Sequence, residues 1–297
     1  MKISVIGAGN VGASVAYALS LKNVCKELVL IDIFADVAKA KAMDIYQSNC
    51  AFSNDCSVYG GDDYSLLKDS DVVVITAGSP RKDGQSREDL LIKNAEVVKT
   101  ASENIKKYAP NSIIIVVTNP LDVMVWVAYN YSGFDKNKII GMAGELDSAR
   151  LIYEISNLKN IRANDIKAKV VGVHSDEMIV LKSSLNTKLN KDEFDKIEFE
   201  TKGGGAKIVK LLKTSAFYAP AAGVVKMCLA IKDNKDEVLS TSVILSQELA
   251  CGRLVRLSKD GICEILPLEL DDDEKEKLKI SEEKIINNIK FLKENLI

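Results

Sequence analysis

KISVIGAGNVGASVAYALSL, residues 2–21, and ELVLID, residues 27–32, decide the fold. Residues 2 to 6 read as a short buried strand, Gly7 to Gly12 as a turn spelling GAGNVG, and Ala13 to Leu21 as the helix that follows. In a strand, turn and helix setting the three glycines have separate tasks. Gly7 permits the tight turn, Gly9 lets a pyrophosphate approach the backbone, and Gly12 lets helix and strand pack closely. The helix N-terminus then offers unpaired N–H groups to phosphate oxygens. Glycines also mark ordinary turns, so the pattern gains force from the second strand, whose end, Asp32, lies 20 residues beyond Gly12. A carboxylate there accepts hydrogen bonds from an adenosine ribose and repels a 2′-phosphate, which favours NAD over NADP. The plainer alternative is a solvated carboxylate at a strand end.

Outward from this unit the alternation continues. A helical pattern covers residues 36–47, DVVVITAG at 71–78 reads as a strand, and a long helix spans about 87–108. SIIIVVTNP at 112–120 is a further strand, IIGMAG at 139–144 a final short strand with a glycine turn, and a helix follows from about 145 to 158. Strands alternating with helices predict an α/β fold with a doubly wound parallel sheet of the Rossmann type, covered on both faces. Such sheets bind ligands at the carboxyl ends of their strands, which here are Gly7, Asp32, Ala77 with Gly78, and Asn119. Past residue 160 the pattern predicts an α+β half. It has strands around 167–182, a helix at about 206–213 after Gly203, Gly204 and Gly205, another at about 216–231, and short strands between 237 and 266. The tail from Asp271 is a charged helix whose Ile285, Ile289, Leu292 and Leu296 share a face that should dock on the body. The expected division is a dinucleotide-binding domain at 1–144 and a substrate domain at 145–297.

Composition narrows the partners. Hydrophobic residues make up 47% of the 297 and charged residues 28%, enough to bury a large core. The 40 Lys and Arg nearly cancel the 42 Asp and Glu, so neither nucleic acid nor a membrane surface is an expected partner. The longest apolar stretch, 113–129, is interrupted by Thr118, Asn119, Pro120 and Asp122, which excludes a spanning helix there. The opening MKISVIGAGN shows no secretory leader pattern, and a cytoplasmic location is expected. Six irregularly spaced cysteines then predict free thiols, and a single histidine with no CxxC pair predicts no transition-metal site.

That histidine, His174 in VVGVHSDE (170–177), is either a structural residue at the end of an apolar run or an acid–base group. Candidate partners lie upstream. SPRKDGQSRED (79–89) reads as a loop carrying Arg81 and Arg87, with Ser86 and Asp89 in the spacing that caps a helix. Surface arginines are usually just solvated. Asn119, before Pro120, can hold a ligand oxygen or simply close a turn. Asp147 and Arg150 are three residues apart and share one helix face, where an ordinary ion pair is the plain alternative.

With GAGNVG, Asp32, SPRKDGQSRED, TNPLD, GELDSAR and GVHSD in this order, the chain resembles the lactate and malate dehydrogenase family over essentially its whole length. The resemblance implies a nicotinamide cofactor, NAD, held by Gly7, Gly9, Asn10, Val11, Gly12, Asp32, Ala77, Gly78, Asn94, Thr118 and Asn119. It implies that His174 exchanges the proton, that Asp147 orients it, and that Arg150 grips the substrate carboxylate. Arg87 matches the loop arginine that polarises the substrate carbonyl, and Asn119 the amide near the nicotinamide. GGAKIVKLLKTSAFYAPAAG (204–223) is similar to the family's substrate-domain helices, with Ser215 and Ala216 at the small-residue position facing the pocket. The family is oligomeric, implying a homodimer or homotetramer.

Arg81 points to one branch. The family's lactate enzymes usually carry Gln there and its malate enzymes Arg, which pairs with a second carboxylate. A monocarboxylate would leave that charge unmatched, at a cost on the order of 3 kcal/mol in a closed site, a hundredfold preference or more. The implied substrate pair is therefore malate and oxaloacetate, with a lactate or broader 2-hydroxy-acid dehydrogenase as the alternative. A catalytically inactive nucleotide-binding scaffold would lack one of His174, Asp147 or the arginines, and none is missing. The sequence departs from the family at Ser175, where Gly is usual, and at Val180, where Pro is common. If the backbone at 175 is left-handed, serine there is strained.

Overall fold

The computed structural model describes residues 1–79, 86–234 and 236–296. Its first half alternates as the sequence predicts. β1 (Lys2–Ile6), α1 (Asn10–Leu21), β2 (Glu27–Ile31), α2 (Ala35–Phe52) and β3 (Ser57–Gly61) form the first winding. β4 (Val72–Ile75), α3 (Arg87–Tyr108), β5 (Ile113–Val116), α4 (Leu121–Ser132) and β6 (Ile139–Gly141) form the second. The second half comprises α5 (Gly144–Lys159), β7 (Val170–Val171), β8 (Ile179–Val180), α6 (Lys191–Leu212), α7 (Tyr218–Asp233), β9 (Val238–Ser246), β10 (Leu249–Ser258), β11 (Gly261–Ile265) and α8 (Asp272–Asn295).

Strands β3, β2, β1, β4, β5 and β6 lie side by side in that order and all run parallel. The order reverses between β1 and β4, which is where doubly wound sheets open a ligand crevice. β4 and β5 are apolar along their whole length, and β1 from Ile3 apart from Ser4, because both faces are covered. Ile3, Val5, Val72, Val74, Ile113 and Ile115 pack beneath α1 and α7, while Val73, Ile75, Ile114 and Val116 pack beneath α3, α4 and α8.

Four expectations change. β3 escaped the sequence reading because SVYGG, at the sheet edge, alternates weakly and contains two glycines. The strands near 71–78 and 112–120 are shorter, since their last residues leave the ladder to shape the crevice. The strands of the second half are not all short. β9 and β10 run nine and ten residues and extend the same sheet, β9 pairing antiparallel with β6, so among the described residues nine strands form one layer. Finally, Gly203 to Gly205 do not precede a helix but sit inside α6, which starts twelve residues earlier than Gly203. Three glycines cost a helix about 3 kcal/mol against alanine, and the capping box of Asn190 with Glu193 and the burial of Ile197 offset this.

The predicted tail helix docks through buried Ile285, Ile289 and Leu292, with Leu296 packed beside them. Asp271 caps it, in a box with Glu274. All six cysteines are free thiols, with the Sγ atoms of Cys25 and Cys56 at 3.8 Å. No helix among the described residues is long and apolar enough to cross a membrane.

Candidate active site

The glycine turn is built as its spacing requires. Gly7 has φ of 103°, and a Cβ there would stand 2.6 Å from the backbone nitrogen of Ala77. A Cβ on Gly12 would stand 1.8 Å from the carbonyl oxygen of Gly7, so no other residue lets α1 approach β1 this closely. At Gly9, by contrast, a Cβ would meet nothing within 4 Å, leaving open space over the first N–H groups of α1. Asp32 accepts the backbone N–H of Ala8 at 2.6 Å and that of Phe34 at 3.0 Å, which ties the end of β2 to the turn. These features fit a dinucleotide, since the phosphates need an open turn and N–H donors, and the ribose an adjoining carboxylate.

Residues absent from the sequence reading support the same turn. Thr76 donates its hydroxyl to the Gly7 carbonyl at 2.9 Å, and Lys41 on α2 donates to the Ala8 carbonyl at 2.6 Å. Only the tertiary pairing of β1 with β4 and of α1 with α2 brings them there. Asn94, buried on α3, spans two strand ends, accepting from Ser79 N–H at 2.8 Å and donating to the Asn119 carbonyl at 2.8 Å. Thr118 donates to the Ala77 carbonyl at 2.7 Å.

A cavity of about 360 Å³ opens on this edge, and its wall includes Gly9, Asn10, Val11, Gly12, Gly78, Asn94, Thr118, Asn119 and His174. Thr214, Ser215, Ala216 and Pro220, around the start of α7, close the other side. Gly7, Asp32 and Ala77 stand behind or beside that wall rather than in it. Arg87 begins α3 with an exposed side chain, outside the lining. Arg81 lies outside the described residues.

His174 sits on the segment between β7 and β8. Its Nδ1 is 2.6 Å from Asp147 Oδ2, and Asp147 Oδ1 accepts from Arg150 Nη1 at 3.0 Å. One buried carboxylate therefore orients both cations. A hydrogen on Nδ1 directed at Asp147 leaves Nε2 as the ring nitrogen available to a ligand. Burial opposes charging the imidazole, but the charge and hydrogen bond of Asp147, with a further contribution from Asp122, outweigh it and raise the pKa above its ordinary value. Arg150 pulls the other way.

Two features explain how Arg150 is held. Gly204 and Gly205 of α6 pass so close that a Cβ on Gly205 would lie 3.2 Å from Arg150 Nη2, and one on Gly204 3.4 Å from its Cδ. Its Nε is buried and has no hydrogen-bond partner among the described residues, so the guanidinium keeps a donor in reserve. The start of α5, which carries Asp147 and Arg150, is anchored by Glu145. This buried carboxylate binds Lys169 at 2.6 Å, Lys226 at 2.7 Å and the backbone N–H of Ser240 at 2.8 Å. Burial alone would raise its pKa, but the two lysines hold it below the usual carboxylate value.

Ser175 is not strained: it is absent from the left-handed residues, and its hydroxyl binds Glu177, which pairs with Lys284 of α8. Val180 is a buried residue of β8. Among the described residues, no group of three or more His, Cys, Asp or Glu is placed to hold a metal ion.

A dinucleotide crevice sharing one cavity with a histidine whose orienting carboxylate also binds an arginine defines a nicotinamide-dependent dehydrogenase. Residues 1–141 match the lactate/malate dehydrogenase NAD binding domain and residues 144–296 the alpha/beta C-terminal domain of the same family. The chain belongs to the lactate/malate dehydrogenase family. It is 42% identical to malate dehydrogenase of Chlorobium phaeobacteroides, over 98% of both chains. Its structure is similar to Cryptosporidium parvum malate dehydrogenase, with a TM-score of 0.94, 38% identity and 99% of each chain covered. It is also similar to Cryptosporidium parvum lactate dehydrogenase complexed with lactic acid and the nicotinamide cofactor, with a TM-score of 0.93, 34% identity and 98% of each covered.

Proposed function

We propose that this chain interconverts L-malate and oxaloacetate with NAD as cofactor. The observation that carries the reading is Asp147 holding both His174 and Arg150 beside the cavity onto which the glycine turn opens. When bound, the nicotinamide supplies or accepts the hydride. In the reductive direction His174, as imidazolium, donates a proton from Nε2 to the oxygen of the substrate carbonyl, and in the oxidative direction its neutral form takes that proton back. Asp147 favours the charged form and fixes the ring. Arg150 turns its planar fork, including the unpartnered Nε, toward the carboxylate next to the reacting carbon. Arg87 polarises the carbonyl from the start of α3, and Arg81 pairs with the distal carboxylate that distinguishes oxaloacetate from pyruvate. Gly7, Gly9, Asn10, Val11, Gly12, Asp32, Ala77, Gly78, Asn94, Thr118 and Asn119 hold or frame the cofactor.

We read the chain as two domains, 1–144 and 145–297, because the parallel strands end with β6 and the substrate-facing residues begin on α5. A cytoplasmic homodimer or homotetramer working in the tricarboxylic acid cycle is the corresponding cellular reading. Exposed Met43, Tyr46 and Phe52 on α2, with Phe34 before it, support the assembly, and light scattering tests it. The activity is tested by kcat/KM for oxaloacetate against pyruvate. Oxaloacetate should lead by about a hundredfold or more, and a preference for pyruvate overturns the assignment. Arg81→Gln should reduce that lead by at least tenfold through loss of oxaloacetate turnover.

A further inference from the structure

A second carboxylate reaches His174, and the proton-transfer chemistry above does not use it. Asp122 lies in the first turn of α4, three residues after Asn119, which lines the cavity. Its side chain is buried, with 2% of the residue exposed. Both oxygens are engaged: Oδ2 accepts the backbone N–H of His174 at 2.8 Å, and Oδ1 accepts the hydroxyl of Ser242, on β9, at 2.7 Å. Among the described residues, no lysine or arginine pairs with it. A carboxylate with no cation beside it is expensive to bury, and an asparagine would satisfy both partners without that cost. The charge therefore calls for a use, and the imidazole of the residue whose backbone it holds is within its electrostatic reach.

We propose that Asp122 is a second positioning residue of His174, clamping its backbone to β9 through Ser242 and adding its negative charge to that of Asp147 in favour of the imidazolium. The proposal rests on His174 being the acid–base group of the reaction. Its geometry joins three elements that the chain separates widely: α4, the segment after β7, and β9. The N-terminal turn of α4 supports a negative charge at this position. The charged and titratable groups facing the pair are Asp147 and Arg150 from α5 and Cys251 from β10. Behind Cys251 stands Arg253, itself paired with Glu282 of α8. Glu177, two residues beyond Ser175, is directed away to Lys284. Burial raises the pKa of Asp122, while the His174 N–H and the Ser242 hydroxyl work to keep it ionised. Asp122 contributes in turn to the raised pKa of His174.

The single histidine makes the test direct, because every histidine resonance of the protein belongs to His174. With imidazole labelled by isotope, its titration is followed by NMR in the full chain, with no substrate present. In Asp122→Asn the amide oxygen can accept from His174 N–H and the amide nitrogen can donate to Ser242, so contacts persist while the charge is lost. The imidazole midpoint should move to lower pH by about half a unit or more. The pH profile of oxaloacetate reduction should follow it, with kcat at pH 8 falling severalfold and the KM for NADH unchanged within twofold. In Ser242→Ala the charge remains but the clamp loses one end. Its midpoint should stay above that of the Asn variant while kcat still falls. A midpoint in Asp122→Asn equal to that of the unaltered protein overturns the proposal. So do equal midpoints in the two variants, which would mark a merely structural effect. If Asp122→Asn does not fold, Ser242→Ala decides: unchanged kcat and midpoint refute the clamp. Because the titration needs no turnover, a chain that failed to reduce oxaloacetate would still report the coupling of Asp122 to His174.

Discussion

The two walls of the active site, taken with the residues that stand behind the cavity lining, are made differently. The cofactor wall is backbone: a turn of glycines, the first N–H groups of α1, and one carboxylate at the end of β2, all within residues 7 to 32. The acid–base wall is side chains gathered from α4, α5 and the segment after β7, with the glycine backbone of α6 packed against Arg150. A backbone site tolerates change in the side chains around it but none in the glycines that shape it. A side-chain site depends on charge balance, so each member alters the protonation or direction of its neighbours.

The largest expected effect lies on the side-chain wall. His174→Asn should lower kcat by about 10²- to 10⁴-fold, the range for a lost general acid, and leave NADH binding within twofold by fluorescence titration. Loss of both together would show that the walls are not separable. On the backbone wall, Gly12→Ala forces a Cβ into the Gly7 carbonyl and should cost about 3 kcal/mol or more, read as a drop in the denaturation midpoint. An unchanged midpoint would mean that α1 can retreat from β1 without penalty.

The smallest effect would sharpen the comparison most, because Gly205 belongs to a helix yet serves the side-chain wall. Gly205→Ala should gain up to about 1 kcal/mol of helix propensity, raising Tm by a few degrees. It should also raise the KM for oxaloacetate severalfold by crowding the Arg150 guanidinium. A higher Tm with unchanged KM would show that the glycine gives Arg150 no needed room.

Legibility in the sequence followed the same division. GAGNVG, Asp32 and the capping pair Ser86 and Asp89 could be read directly, since each acts through neighbours a few residues away. The capping box at the start of α3 forms as that spacing predicts, with Asp89 N–H donating to Ser86 Oγ at 2.9 Å. His174, Asp147 and Arg150 were legible as a set only through their resemblance to a family, because 27 residues separate the two hydrogen-bonded side chains His174 and Asp147. Asp122 was visible only as a polar break in an apolar run, Lys41 and Thr76 carried no signal, and β3 was too weakly patterned to register. The run of glycines at 203–205 misled, since local propensity argues for a break where the capping box of Asn190 with Glu193 and the burial of Ile197 carry the helix through.

The sequence by itself determined the winding of strands and helices, the nucleotide turn and the helix caps, because periodicity, glycine geometry and capping are short-range physics. Only the tertiary structure decided that β9, β10 and β11 complete the same sheet, that Asp122 meets the backbone of His174, and that Asp147 serves two cations at once. Those outcomes depend on which distant surfaces bury one another, and burial is what turns a carboxylate beside a histidine into control over its proton.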